Sequence, residues 1–96
     1  SEHRGSISVD SGAANAVRNQ GHSLLPIGVV SVKGPFKRGD IIEVSELDGT
    51  TIGWGITSYD SDEVELIKGN NSKSLPTLLG HYYGAEVIHR NNMALP

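Results

Sequence analysis

The chain lacks cysteine and contains few aromatic residues and no long apolar run. Its 96 residues include no Cys, one Trp, one Phe and three Tyr. Without Cys the chain can form neither a disulfide framework nor a thiolate metal site. Its apolar runs fall well short of the roughly 18 residues that a membrane-spanning helix requires, and residues 1–5 show no signal-peptide pattern. The sequence therefore predicts a cytoplasmic protein without membrane contact.

Positive charge is also scarce. Lys and Arg number 8 against 11 Asp and Glu, which gives a formal net charge of −3. Nucleic-acid-binding domains are usually basic, because contacts to phosphate dominate their affinity. The charge balance therefore argues against strong nucleic-acid binding and leaves only a local basic patch as a route to it.

Frequent turn signals and short alternating segments predict one mainly β domain with short α-helices. Residues 6–9 alternate as a half-buried strand does, and Asp10 then suits the N-cap of a helix over 11–20 that Gly21 ends. Further strands are predicted at about 27–32, 41–47, 51–57, 86–89 and 93–95, and further helical segments at about 60–68 and 74–79. About six short strands favour a small, partly closed barrel.

The most apolar run, residues 21–32, contains a proline and a glycine. Pro26 cannot donate to a strand ladder, so a buried strand is predicted to begin after it, at about Ile27. Leu24 and Leu25 are expected in the core. Gly28 is expected to permit close packing against another backbone.

The segment around Asp48 and Gly49 has the signature of a β-hairpin. An Asp-Gly pair suits a type I′ turn, which needs positive φ at both central residues. In the returning strand, alternation places Ile52, Trp54 and Ile56 on one face, predicted to be the core side. The glycines between them would then face outward, where another backbone can approach.

No catalytic, cofactor or metal site is predicted. Residues 69–74 end in Lys-Ser like a phosphate-binding loop, but the second glycine and a preceding strand are missing. The four histidines are scattered without ligand spacing, and no nucleophile elbow appears. Arg38-Gly39-Asp40 and the glycosylation-type triplet 70–72 receive no function, since no secretory signal is visible.

Candidate nucleic-acid contacts cluster near the first helix and the glycine turn that follows it. A helix beside such a turn can offer N–H groups to phosphates. The candidates are Arg18, Gly21, His22, Ser23, Lys33, Lys37 and Arg38.

The order of these motifs resembles a PUA domain. The matching runs are SVDSGA at 8–13, GHSLLPIGV at 21–29, FKRGDII at 36–42, DG at 48–49 and IGWG at 52–55. More narrowly, SLLPIGV at 23–29 and LLGHYYGAEVIHRNN at 78–92 resemble the C-terminal PUA domain of bacterial glutamate 5-kinase. The Phe-x-x-Gly-Asp pattern is general among PUA domains, whereas SLLPIGV and VIHR at 87–90 are more specific to the kinase.

The resemblance implies a PUA-type six-stranded pseudobarrel over residues 6–96, with residues 1–5 ending an interdomain linker. The parent enzyme would transfer the γ-phosphoryl group of ATP, with Mg²⁺, to the side-chain carboxylate of L-glutamate in proline biosynthesis. ATP and Mg²⁺ would bind in an N-terminal amino-acid-kinase domain of the same chain. This fragment would then be a non-catalytic accessory or regulatory domain of a homo-oligomeric enzyme.

Two alternatives stay open. By analogy with PUA domains of RNA-modifying enzymes, the first helix and its glycine turn would bind RNA through Arg18, Gly21, His22 and Ser23, with Lys33 nearby. A stand-alone barrel that binds a small molecule would need a sizeable apolar pocket with convergent polar groups.

Overall fold

The computed structural model describes residues 5–96, which form one mixed sheet and three short α-helices. Its elements are β1 (Gly5–Val9), α1 (Ser11–Gln20), β2 (Val29–Lys33), β3 (Ile41–Glu46), β4 (Thr51–Ile56), α2 (Ser61–Ile67), α3 (Leu75–Leu79) and β5 (Met93–Ala94). Short 3₁₀ turns occupy Pro26–Gly28, Ser72–Ser74 and Arg90–Asn92. The mainly β fold class is confirmed. Residues 1–4 of the predicted linker, and His3 with them, lie outside the described range.

The sheet has the strand order β2-β1-β3-β4-β5. β1 and β3 run parallel, and the other neighbouring pairs are antiparallel. Within the described residues there are five strands rather than six, because residues 86–89 do not form one. Ile88 makes only an isolated bridge to Leu24. The 3₁₀ turn that begins at Arg90 ends the pairing after that bridge.

The first helix has the boundaries and caps that the sequence predicts. The Asp10 carboxylate accepts a hydrogen bond from the Ala13 N–H at 2.8 Å, and Gly21 ends the helix at φ 64°. Ala14 and Val17 face the core from this helix. Since N-cap and C-cap chemistry is local, sequence alone sufficed here.

The chain after α1 departs from prediction. Residues Pro26–Gly28 form a 3₁₀ turn, so β2 begins at Val29 rather than near Ile27. Leu24 is fully buried, but Leu25 is 43% exposed and Ile27 is 56% exposed. The turn directs these two side chains outward. A Cβ on Gly28 would lie 2.4 Å from the Ala13 Cβ, which confirms the predicted close packing.

From Gly53 onward the two faces of β4 are the reverse of the prediction, whereas Ile52 is buried as predicted. Trp54 is 37% exposed and Ile56 is 41% exposed, whereas Gly53 and Gly55 are buried. The pairing with β3 passes from Val44–Gly53 to Ser45–Thr51 and skips Ile52. This bulge lets Ile52 and Gly53 both face inward, so the alternation changes phase there.

The buried glycines of β4 make room for the C-terminal segment. A Cβ on Gly53 would lie 2.4 Å from the Ala94 carbonyl oxygen, and one on Gly55 would lie 2.6 Å from Ile88 Cγ2. The predicted close approach is therefore confirmed, although it takes place on the inner face of the sheet.

The β3–β4 hairpin is present, but its turn is not type I′. Gly49 has φ 93°, and no non-glycine residue between 5 and 96 has positive φ. The turn closes through a Gly49 N–H to Glu46 carbonyl bond of 3.0 Å. The Asp48 carboxylate accepts from the Thr50 N–H at 2.9 Å, and this bond lowers the pKa of the Asp48 carboxyl.

One apolar cluster unites the inner face of the sheet with the helices. Ile42 and Val44 of β3 lie in it, as their alternation with exposed Ile41 predicts. Ile67 of α2 and Leu75 of α3 complete it from the other side. In the part of the chain that the structure describes, every helix is too short or too polar to count as a membrane-span candidate.

Candidate binding groove

A concave groove of about 690 Å³ lies between α1 and the C-terminal segment. Its walls are the N-terminal half of α1, the turn over residues 22–28, and Glu86, His89 and Arg90. We call it the α1 groove. It brings together residues that are more than sixty positions apart in the sequence.

Backbone hydrogen bonds join the two sides at the base of the groove. The Leu24 N–H donates to the Ile88 carbonyl at 2.9 Å, and the Val87 N–H donates to the Leu24 carbonyl at 2.8 Å. Beside them, the Arg90 N–H donates to Ser23 Oγ at 2.8 Å. These bonds fix His89 and Arg90 next to the turn that follows α1.

The start of α1 is hydrogen-bonded to the 3₁₀ turn at Pro26–Gly28. The Asp10 N–H donates to the Gly28 carbonyl at 3.0 Å. Gly28 also packs directly against Ala13, where no side chain would fit between them. The helix and the 3₁₀ turn therefore form one rigid wall.

A tyrosine anchors the loop that carries Glu86 to the groove. The Tyr59 hydroxyl donates to the Gly84 carbonyl at 2.7 Å and accepts from the Tyr83 N–H at 2.9 Å. Burial raises the pKa of the Tyr59 hydroxyl, although the bond from Tyr83 opposes this shift. The neutral phenol is thus the form that holds the loop.

Hydrogen-bond donors gather at one end of the groove. His89 Nδ1 accepts from the Asn91 N–H at 3.1 Å, so the neutral ring carries its proton on Nε2. Ser23 Oγ accepts from the Arg90 backbone, which leaves its own proton to donate elsewhere. Arg90 is exposed and forms no ion pair within residues 5–96.

The structure brings only two of the five predicted RNA contacts into the groove, His22 and Ser23. Gly21 ends α1, while the Arg18 guanidinium pairs with Glu46 of β3 at 2.9 Å. Lys33 lies at the far end of β2, opposite Ser6. The RNA-contact role of all five stays a prediction.

Two further basic candidates lie away from the groove. Arg38 stacks over the Tyr83 ring at 3.9 Å, and its N–H donates to the Asp60 carboxylate at 2.7 Å. The Lys37 N–H donates to the Asp40 carboxylate at 2.8 Å. Arg38-Gly39-Asp40 is therefore a structural turn engaged with its neighbours.

Sequence reasoning did not assign a role to Glu86, His89 or Arg90. The VIHR run carries a resemblance in the sequence, but its position beside Ser23 depends on tertiary pairing. Across residues 5–96 no three His, Asp or Glu side chains are grouped as a metal site would require.

Comparison with known proteins extends these observations. The family model for the PUA domain matches residues 5–79. Glutamate 5-kinase of Dictyoglomus thermophilum is 47% identical over 92 residues, an alignment that covers 96% of this chain and 25% of the relative. The chain thus spans about a quarter of the length of the curated relatives it matches.

Solved structures show the same fold. A PUA domain from Aeropyrum pernix K1, crystallised as a tartrate complex, superposes with a TM-score of 0.65 at 30% identity, over 90% of this chain and 41% of that one. A chain of the archaeal box H/ACA sRNP Nop10–Cbf5 complex superposes with a TM-score of 0.60 at 25% identity, over 66% and 20%.

The alignment with glutamate 5-kinase covers the C-terminal wall of the groove, and the match to the PUA family model does not. Any 92-residue span of a 96-residue chain includes residues 5–92, so the kinase alignment contains Glu86 to Arg90. The family model ends at residue 79 and does not reach them. The fold, the domain match and the structural neighbours agree, and this chain belongs to the PUA domain family.

Proposed function

We propose that this chain is the C-terminal PUA domain of a glutamate 5-kinase and serves that enzyme as a non-catalytic accessory domain. The observation that carries the proposal is a 47% identity that runs through 96% of the chain but through only 25% of the relative. The parent would phosphorylate the side-chain carboxylate of L-glutamate with ATP, in cytoplasmic proline biosynthesis, as a homo-oligomer.

The α1 groove supports a role tied to the kinase. SLLPIGV and VIHR, the two runs whose resemblance is specific to glutamate 5-kinase, meet there through the Leu24–Ile88 bridge and the Ser23–Arg90 bond. The more general PUA motif at 36–42 lies outside the groove lining. A surface that combines kinase-specific segments favours a task within that enzyme.

The residues present do not fit ATP or Mg²⁺. Phosphoryl transfer needs a phosphate cradle and a metal held by carboxylates. In the loop at 69–74, Ser72 Oγ donates to the Ala85 carbonyl at 3.0 Å, which is a structural bond. The described residues also lack a grouped set of metal ligands. We therefore assign ATP and Mg²⁺ to the other three quarters of the parent.

Deletion tests this proposal. Full-length enzyme and a variant that ends before residue 6 would be compared for turnover, inhibition by proline and oligomer size. An accessory domain should change at least one of the three while leaving measurable glutamate phosphorylation. Identical values for all three would contradict a structural or regulatory role, and a parent gene without a kinase domain would contradict the assignment itself.

RNA binding is the second candidate. It is favoured by the ribonucleoprotein neighbour and by His22 and Arg90, two basic side chains on one groove. The net charge of −3 counts against it. A titration with structured RNA at low and at physiological salt tests this candidate, because electrostatic affinity is greatest at low salt. Absence of binding at low salt would end this candidate.

A further inference from the structure

The α1 groove combines exposed apolar side chains with a concave shape. Leu25 and Ile27 project into it, and Ala13 and Ala16 of α1 extend the apolar surface. Its volume of about 690 Å³ falls within the range of roughly 300–1,000 Å³ that is typical of small-molecule sites. The apolar side chains of the groove therefore suit the hydrocarbon part of a small ligand.

The donors at one end suit an oxyanion. The Arg90 N–H bonds to Ser23 Oγ, and His89 is the chain neighbour of Arg90. Each of the three has donor capacity that its bonds within residues 5–96 leave over. A guanidinium group without a carboxylate partner binds carboxylate or phosphate oxygens through charge-assisted hydrogen bonds. An anionic group placed here would engage hydroxyl, imidazole and guanidinium donors at once.

The acidic residues of the groove limit what that anion can be. Glu86 lines the same groove, and Asp10 caps α1 on the opposite wall. A polyanion that follows the groove would meet both carboxylates. Of the described residues that line it, none is Phe, Tyr or Trp, so a base would find no aromatic platform for stacking. A small molecule with one anionic group fits better than a nucleic-acid strand.

We propose that the α1 groove is a binding site for a small organic molecule that carries one oxyanion group, a carboxylate or a phosphate, on an apolar body. The oxyanion lies against Ser23, His89 and Arg90, and the apolar body lies over Leu25 and Ile27. That such a ligand acts as an effector of a kinase rests on the proposed function, whereas binding itself is a property of this chain.

The direct test is a titration of the 96-residue chain, followed by amide chemical shifts in NMR spectra. The probes are sodium hexanoate, hexyl phosphate, 1-hexanol and inorganic phosphate. We expect hexanoate or hexyl phosphate to shift amides around Ala13, Ser23 and Arg90, and the stronger of the two identifies the oxyanion. Hexanol and inorganic phosphate should bind at least about tenfold more weakly, since each lacks one half of the recognition.

Matched variants separate the two halves of the site. Arg90→Gln should lower the affinity for hexanoate or hexyl phosphate at least about fivefold, and it should leave the weak binding of hexanol unchanged. Ile27→Ser should lower the affinity for all three probes with a six-carbon body, namely hexanoate, hexyl phosphate and hexanol. Lys73→Gln is the control, because Lys73 is an exposed cation outside the groove. Dispersed amide spectra establish that each variant is folded.

Several outcomes would overturn the inference. Equal binding of hexanol and hexanoate would show that no oxyanion is recognised. Unchanged affinity in Arg90→Gln, or shifts confined to the β3–β4 face, would place the ligand elsewhere. Displacement of the hexyl probes by a single-stranded RNA oligonucleotide at physiological salt would assign the groove to RNA. None of these results bears on the deletion experiment, so failure here and failure of the kinase assignment are distinguishable.

Discussion

Two regions of the molecule leave large apolar side chains exposed, and they differ in what surrounds those side chains. In the α1 groove, Leu25 and Ile27 lie in a concavity beside hydrogen-bond donors. On the outer face of the sheet, Ile41 and Ile56 are cross-strand partners, with Trp54 next to them on β4. The exposed fractions in the two regions are similar.

The comparison shows that apolar exposure alone does not define a site. On the outer face the nearest polar groups bond to one another, as Thr51 Oγ1 and Glu43 do. In the groove, the Arg90 N–H donates to Ser23 Oγ, and within residues 5–96 the Ser23 hydroxyl and the Arg90 guanidinium donate no hydrogen bond of their own. Concavity and spare hydrogen-bonding capacity therefore set the groove apart.

The largest expected effect lies beneath the groove. Leu24→Ala removes a fully buried side chain and should lower the free energy of unfolding by about 3 kcal/mol, through lost burial and a cavity. Leu25→Ala, its exposed neighbour, is the control and should cost less than about 1 kcal/mol. Urea denaturation measures both. Similar decreases in the free energy of unfolding would contradict the assignment of Leu24 to the core and Leu25 to the groove.

The next effect tests the rigid groove wall. Gly28→Ala should cost about 2 kcal/mol, since the new methyl would overlap Ala13 at 2.4 Å. Gly12→Ala is the matched groove glycine, whose nearest neighbour would be an Asp10 oxygen at 3.5 Å. It should be neutral or stabilising by up to about 1 kcal/mol, because alanine is the better helix former. Thermal unfolding measures both variants. Equal changes in melting temperature would show that the groove wall is not tightly packed.

A smaller effect concerns the loop that carries Glu86. Tyr59→Phe removes two hydrogen bonds, with Gly84 and Tyr83, and should cost about 1–2 kcal/mol at neutral pH. The pKa of the Tyr59 hydroxyl is raised by burial, so its contribution is complete below the unfolded-state pKa of about 10 and is lost as pH rises above that value.

The measurement for Tyr59 is unfolding by denaturant from pH 8 to pH 11. The gap between the parent chain and Tyr59→Phe should narrow above pH 10, because only the parent has this hydroxyl to ionise. Tyr82→Phe is the control, since Tyr82 is 52% exposed. A gap that stayed constant to pH 11 would contradict a buried neutral phenol.

The smallest effect is expected on the outer sheet face. Trp54→Thr keeps a good strand former at an exposed position and should change the free energy of unfolding by less than about 1 kcal/mol. Binding of hexanoate or hexyl phosphate should not change. A large loss of stability, or a loss of probe binding, would show that the outer face and the groove are not independent.

The sequence predicted α1 and the mainly β class well, and it predicted the orientation of side chains less well. Caps such as Asp10 and Gly21 act within a few residues, so local chemistry identified them. Ile52 was predicted correctly, but the faces of β4 from Gly53 onward were wrong because a bulge beside Ile52 changes the phase of the alternation. The sequence around Ile52 has no local pattern that predicts such a bulge. Of the groove, His22 and Ser23 were predicted, while its C-terminal wall was not.

By itself the sequence determined the helix ends, the hairpin position and the motif runs, since each depends on neighbours along the chain. Tertiary structure alone decided that Leu25 and Ile27 are exposed, and that Ser23 meets Arg90. The physical reason is that the Leu24–Ile88 bridge joins segments more than sixty residues apart. Their hydrogen-bond pairing depends on the sheet and on the glycines that let the C-terminal segment pack against it.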